Sequence, residues 1–285
     1  MALSIDHLHF WKLKFVDGFE GKTIDVCHGR IHYIAKPGLT SRPTMVFVHG
    51  TAASAYHYDP VLQAVNRAGY SVIAPDLISH GRSGDAHEKL SSEEFYQTFA
   101  EFLDRAVSGP LLLVGNSLGG GVSYRYALEH PERVVGLVAI SPVGGFVDHE
   151  DLESFKKTVI RFDSQKTITE FLERIFHRRP WYLRLYAPLF EKSLKRRGLL
   201  NMVHSITFDY FERLRAGTVL KVPTLFIWGK SERIFPRAHL EWFKKNLPKH
   251  VVFEEPENVG HCPQLDAPQW LSERILKFAH ESHRS

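Results

Sequence analysis

Six short apolar runs constrain this chain more than any other feature: residues 45–48, 70–74, 111–114, 134–140, 224–228 and 251–253. Most are β-branched or leucine-rich. A run that is apolar at nearly every position, rather than every second one, belongs to a strand buried on both faces. Helical patterns lie between the runs. One opens with Ser91-Ser92-Glu93-Glu94, a capping box with Ser91 at the cap, and sets Phe95, Phe99, Phe102 and Leu103 on one side. Another spans residues 118–130 and stops before Pro131. Strands alternating with helices imply right-handed crossovers. Two alternating runs at 22–27 and 30–35, joined at His28-Gly29, add an antiparallel hairpin at a sheet edge. The expected fold class is therefore α/β, a mostly parallel eight-stranded sheet with helices on both faces.

The alternation lapses once. From about residue 146 to 214 no strand pattern occurs, while 167–177 reads as a capped helix with Ile168, Phe171, Leu172, Ile175 and Phe176 on one side. The expected organisation is a core formed by residues 1–145 and 216–285, interrupted by a helical insertion over 146–215. There are no internal repeats or low-complexity tracts.

The strand at 111–114 runs into Gly115-Asn116-Ser117-Leu118-Gly119-Gly120-Gly121, and a helix follows at once. A serine between two glycines in a strand-turn-helix setting is how an α/β scaffold presents a nucleophilic hydroxyl. The turn is tight enough that a side chain two residues to either side of the serine collides with backbone. The helix start behind it aims free N–H groups and a partial positive charge at a developing oxyanion.

Three more pieces accompany this turn. The strand at 45–48 ends in His49-Gly50-Thr51-Ala52, the strand at 70–74 leads through Pro75-Asp76 to Ser79-His80-Gly81-Arg82-Ser83, and His261 stands late in Gly260-His261-Cys262-Pro263. In that order, and over almost the whole chain, they resemble the α/β-hydrolase fold superfamily, among its serine carboxylesterase and lipase-like members with a helical cap. The resemblance implies Ser117 as nucleophile, His261 as general base, and the backbone N–H groups of Thr51 and Leu118 as the oxyanion hole. It makes the insertion a cap. The family's acid follows the strand matching 224–228, usually as aspartate, and here Glu232 in Gly229-Lys230-Ser231-Glu232 holds that place. Asp148, the nearest carboxylate after the strand at 134–140, is the rival for the role. The implied enzyme is a carboxylic ester hydrolase, free of metal and organic cofactor, acting on a small or medium apolar ester such as a monoacylglycerol-like lipid. A carbon–carbon bond hydrolase and a slow-turnover ligand receptor are the alternatives. Dehalogenases and epoxide hydrolases of this fold carry aspartate where Ser117 stands, which disfavours their chemistries.

Other residues invite blander readings. His49 and His80 read as loop-shaping residues bonded to nearby backbone, and Asp76 as a turn-stabilising carboxylate. The insertion combines Arg178, Arg179, Lys195, Arg196 and Arg197 with Trp181, Tyr182, Leu185 and Tyr186. Docking on an anionic lipid surface is the sharper reading of that mixture, and a cap that buries its apolar face and solvates its charges is the favoured one. The 285-residue chain has a net charge of +4, but its lysines and arginines are interleaved with acids rather than clustered, so nucleic acid is not an expected partner. Two cysteines, Cys27 and Cys262, with no CxxC spacing give neither a disulfide framework nor a zinc site. Without an uninterrupted apolar leader at residues 1–15, the expected location is cytoplasmic.

Overall fold

The computed structural model describes residues 13, 17–39, 41–86, 89–160, 164–181, 183–215 and 219–282. Tyr182 lies outside the described residues, as do most of residues 1–15 and the side chains of Leu185, Tyr186 and Arg197.

Eight strands form one sheet: β1 (Glu20–Val26), β2 (Gly29–Lys36), β3 (Thr44–Val48), β4 (Val72–Pro75), β5 (Leu111–Asn116), β6 (Val134–Ile140), β7 (Thr224–Ile227) and β8 (Val252–Glu254). Their spatial order is β1-β2-β4-β3-β5-β6-β7-β8. β1 pairs antiparallel with β2, and β2 with β4, while β3 to β8 run parallel. β3 to β7 are buried on both faces because successive side chains feed two different cores, whereas β8 lies at the sheet edge with Val252 exposed and Phe253 and Glu254 half-buried, so the apolar run at 251–253 does not mark a doubly buried strand. Met45 and Phe47, Leu112 and Val114, and Leu225 and Ile227 pack into one of them. Val46 and Val48, Leu111 and Leu113, and Phe226 pack into the other. The period of two sends each run to both sides, which is why the runs read as continuously apolar.

The first core is closed by α1 (Asp59–Arg67) and α11 (Pro268–Ser282), whose Val61, Leu62, Leu271 and Ile275 are buried in it. The second is closed by α2 (Ser92–Ala106) and α3 (Leu118–Glu129). The α2 box forms as its sequence predicts: Glu94 N–H donates to Ser91 Oγ at 3.2 Å, and Ser91 N–H to Glu94 Oε2 at 2.8 Å. Between β6 and β7 the described residues form five helices, α4 (His149–Ile160), α5 (Gln165–Ile175), α6 (Leu183–Leu194), α7 (Arg197–Ser205) and α8 (Phe208–Arg215). α5 begins two residues before the start expected from sequence, because Ser164 is its cap and accepts the Thr167 N–H at 3.2 Å. α9 (Arg237–Asn246) and the short α10 (Pro263–Asp266) complete the chain. No helix among the described residues is long and apolar enough to cross a membrane.

Candidate active site

Ser117 stands between β5 and α3 with φ 56° and ψ −117°, a conformation that a residue with a Cβ adopts only when its surroundings hold it there. They do so on both sides. Its N–H donates to Ile140 O at 2.9 Å, and its carbonyl accepts from Gly121 N–H at 2.9 Å and Val143 N–H at 3.1 Å. The flanking glycines are obligatory: a Cβ on Gly115 would lie 2.4 Å from Gly119 O, and one on Gly119 would lie 2.2 Å from Val48 O. The turn therefore presses against β3 as closely as backbone allows.

His261 and Glu232 come together from loops after β8 and β7. His261 Nδ1 is 2.7 Å from Glu232 Oε2, with the two side chains 5% and 2% exposed. The other carboxylate oxygen, Oε1, accepts the N–H groups of Ile234 at 2.7 Å and Phe235 at 3.2 Å. Burial acts most strongly on this carboxyl and would raise its pKa. The charge and hydrogen bond of His261, helped by the Ser141 hydroxyl and the Ile234 N–H, outweigh it and hold Glu232 below the ordinary glutamate value.

Ser117 and His261 line one cavity, together with Thr51, His57, Asn116 and Gln264 and an apolar wall that includes Phe155, Phe171, Leu172, Ile175, Phe176 and Phe190. Leu118 instead lines a neighbouring cavity between α3 and α7 to α9, with Phe95, Val122, Met202, Ile206 and Phe211. The Leu118 N–H belongs to the first turn of α3, whose N–H groups have no intrahelical acceptor because the residues before it lie in the serine turn and β5. Thr51 follows the close approach of Gly50 to Ser117, where a Cβ would lie 3.1 Å from the Ser117 Cβ.

The profile of the family described as alpha/beta hydrolase fold matches residues 43–268. The chain belongs to the α/β-hydrolase family. It is 26% identical over 279 residues to haloalkane dehalogenase 2 of Mycobacterium tuberculosis, covering 91% of this chain and 94% of that one. It is 29% identical over 283 residues to a 2-hydroxy-6-oxononadienedioate/2-hydroxy-6-oxononatrienedioate hydrolase of Burkholderia vietnamiensis, covering 87% and 90%. Among solved structures, carboxylesterase CesB of Bacillus subtilis superposes with a TM-score of 0.72 at 21% identity, covering 95% of each chain, which speaks to the fold.

Within this α/β hydrolase, Asp148 lies away from the pair: it is exposed and accepts the Asp151 N–H at 2.8 Å at the start of α4. His49 and His80, both buried, serve loop backbone. His49 Nδ1 is 2.8 Å from Gly50 O and its Nε2 accepts the Leu77 N–H, while His80 Nδ1 is 2.9 Å from Ile78 O. Burial drives the His80 pKa down to about 3, so its ring is neutral. Asp76 accepts the N–H groups of Ala55 and Arg82 and bonds His32, tying the segments after β3 and β4 to strand β2. On the insertion, Trp181 is 86% exposed. Three of the neighbouring cations are paired, Arg179 with Glu173, Lys195 with Glu191 and Arg196 with Asp85.

One residue was missed by reading the motifs alone. Asn116 is buried, and its Nδ2 donates to His261 O at 2.9 Å and Ile140 O at 3.3 Å. Its Oδ1 accepts from Gln264 Nε2 at 3.0 Å and Cys262 Sγ at 3.3 Å. Asn116 thus joins the serine turn to the histidine loop. Its only signal in the sequence is its place inside the Gly-Asn-Ser turn.

Proposed function

We propose that the protein is a serine hydrolase of carboxylic esters, with Ser117 as nucleophile, His261 as general base and Glu232 as the acid that orients the base. The observation that carries this reading is the buried Glu232–His261 pair beside a cavity that also contains Ser117 on its strained turn. With Nδ1–H given to the carboxylate, the Nε2 lone pair is the one free to take a proton. As Ser117 Oγ forms its bond to the carbonyl carbon, its proton passes to Nε2, and the carbonyl π pair moves to oxygen. The N–H groups of Thr51 and Leu118 are the donors proposed for that oxyanion. Collapse breaks the bond to the alcohol oxygen, which leaves with the proton from His261. Water, deprotonated by the same imidazole, then opens the acyl-serine to the free acid.

Serine at this position argues against the halide displacement that names the mycobacterial relative. Alkylation of a hydroxyl gives an ether, which has no carbonyl for water to attack, whereas an alkylated carboxylate is an ester that water can open. The cavity wall favours an uncharged substrate with apolar groups, because no lysine or arginine is among the described residues lining it. The second apolar cavity, reached one residue further on at Leu118, supports an ester with a hydrocarbon chain, such as a monoacylglycerol-like lipid. A dianionic carbon–carbon hydrolase substrate would need compensating cations there.

A fluorophosphonate label and a p-nitrophenyl ester series of rising chain length, each run beside Ser117→Ala, test this reading. Fast turnover and labelling that both vanish in Ser117→Ala are expected. Tight binding of an apolar ester without turnover would overturn it in favour of a receptor.

A further inference from the structure

The C-terminal turn of α5 is stitched to both loops that carry the proposed base and acid. His261 N–H donates to Ile175 O at 2.9 Å. Asp266 Oδ2 accepts the Gly260 N–H at 2.8 Å, and the same carboxylate takes the His177 N–H, with Oδ2 at 3.0 Å and Oδ1 at 3.1 Å. On the acid's side, Arg233 Nη2 donates to Glu173 O at 2.8 Å and to Phe176 O, and His177 Nδ1 lies 2.7 Å from Ser231 Oγ. The fit leaves no slack: a Cβ on Gly260 would lie 2.7 Å from Ile175 O and 2.8 Å from His177 N. Ile175 and Phe176, in the same turn, also line the cavity that holds Ser117.

Resting on the triad reading above, we propose that Asp266 and Arg233 are positioning residues, clamping the end of α5 to the loops of His261 and Glu232. The carboxylate of Asp266 bridges the N–H just before His261 to the N–H just after α5. The guanidinium of Arg233, adjacent to Glu232 in the chain, holds the last carbonyls of the helix, which a helix end leaves without intrahelical partners. The insertion is therefore fixed to the catalytic loops at its α5 end, and the turn that forms the pocket wall also sets the height of the imidazole. A shift of the clamp displaces His261 from Ser117 without removing any group that touches substrate.

The test uses Asp266→Ala, Asp266→Asn, Arg233→Met and Arg233→Lys in the full chain. Each variant is followed by p-nitrophenyl ester kinetics, by the rate of fluorophosphonate labelling, and by thermal melting to establish folding. Asp266→Ala and Arg233→Met are expected to lower kcat about ten-fold or more, with the labelling rate falling in parallel. KM should change less than kcat, because the oxyanion donors and the rest of the pocket wall remain. Asp266→Asn and Arg233→Lys should recover most of the loss, since the amide oxygen still accepts and the ammonium still donates. A kcat and labelling rate within about two-fold of the parent in folded Ala and Met variants would overturn the clamp, as would a loss confined to KM. If Asp266→Ala fails to fold, the two Arg233 variants and Asp266→Asn decide on the same criteria. The triad reading fails separately, when the unchanged protein shows no Ser117-dependent labelling or Glu232→Ala keeps full turnover.

Discussion

Replacing Glu232 by glutamine keeps the shape of the side chain and removes its charge, and the surroundings dictate which way the amide turns. Oε1 accepts two backbone N–H groups, from Ile234 and Phe235, and Oε2 faces His261 Nδ1 at 2.7 Å. Turning the new NH2 toward the backbone would leave two buried donors facing a donor, at about 1–3 kcal/mol for each unsatisfied group. The amide oxygen therefore stays with the backbone, and the NH2 faces the imidazole. That donor holds His261 in the tautomer protonated at Nε2, which cannot take a proton from Ser117. The expected loss in kcat is on the order of 10⁴, equivalent to about 5.5 kcal/mol of transition-state stabilisation. Glu232→Ala leaves the tautomer free, so Gln should be at least as damaging as Ala despite being the smaller change. Steady-state hydrolysis of p-nitrophenyl butyrate, backed by the fluorophosphonate labelling rate, measures both variants, with Asp148→Asn as a control expected to stay within about two-fold of the parent. A Glu232→Gln enzyme retaining more than about a tenth of the activity would refute the assignment.

Other consequences follow from the same contacts. Asn116→Ala strands the His261 carbonyl and the Gln264 amide in a buried site, and should cost about 3 kcal/mol in urea denaturation together with a fall in kcat. The Glu232 carboxyl is held below its ordinary 4.5, so its contribution to stability is complete above that value and is lost as pH falls through the lower folded value. Melting temperatures of the parent should accordingly drop more steeply on acidification below about pH 4.5 than those of Glu232→Gln. Phe190 packs against Phe171 with centroids 5.8 Å apart in the cavity wall. Phe190→Ala should move the acyl-chain preference toward longer esters, at about 3–5 kcal/mol of stability.

The central strands were legible because burial on both faces leaves an unbroken apolar run, and local capping fixed the start of α2 to the residue. The serine turn was legible for a similar reason, since its glycines are demanded by contacts within a few residues of Ser117 and with one neighbouring strand. Strand ends were less so: residue 70 reads as strand because Tyr70 is buried, yet β4 starts at Val72, after the turn at Gly69. What sequence patterns did not carry are contacts between segments distant in the chain. Asn116 reaches His261 across 145 residues, and His177 reaches Asp266 across 89. Such pairs involve common polar residues with no spacing rule, and only the fold brings them together.

The backbone marks the same region independently of any motif. Five non-glycine residues with positive φ occur among the described residues: Ala52, Ser79, Ser117, Ser141 and Asn258. Each follows the C-terminal end of a parallel strand, β3, β4, β5, β6 and β8 in turn. In an open parallel sheet, loops at that edge build the ligand site, so the strain is concentrated where function is placed. At Ser117 the strain can be measured against the cost of relieving it. A side chain in this region costs about 1–3 kcal/mol, whereas glycine adopts it freely but loses about 0.5–1 kcal/mol more conformational entropy on folding than alanine. Ser117→Gly should therefore be more stable than Ser117→Ala by about 1 kcal/mol, both being inactive, since Ala keeps the Cβ and with it the strain. Urea denaturation of the two variants decides the point. A glycine variant less stable than the alanine variant would mean that the turn at Ser117 stores no strain and that its backbone conformation is not what holds the hydroxyl in the cavity.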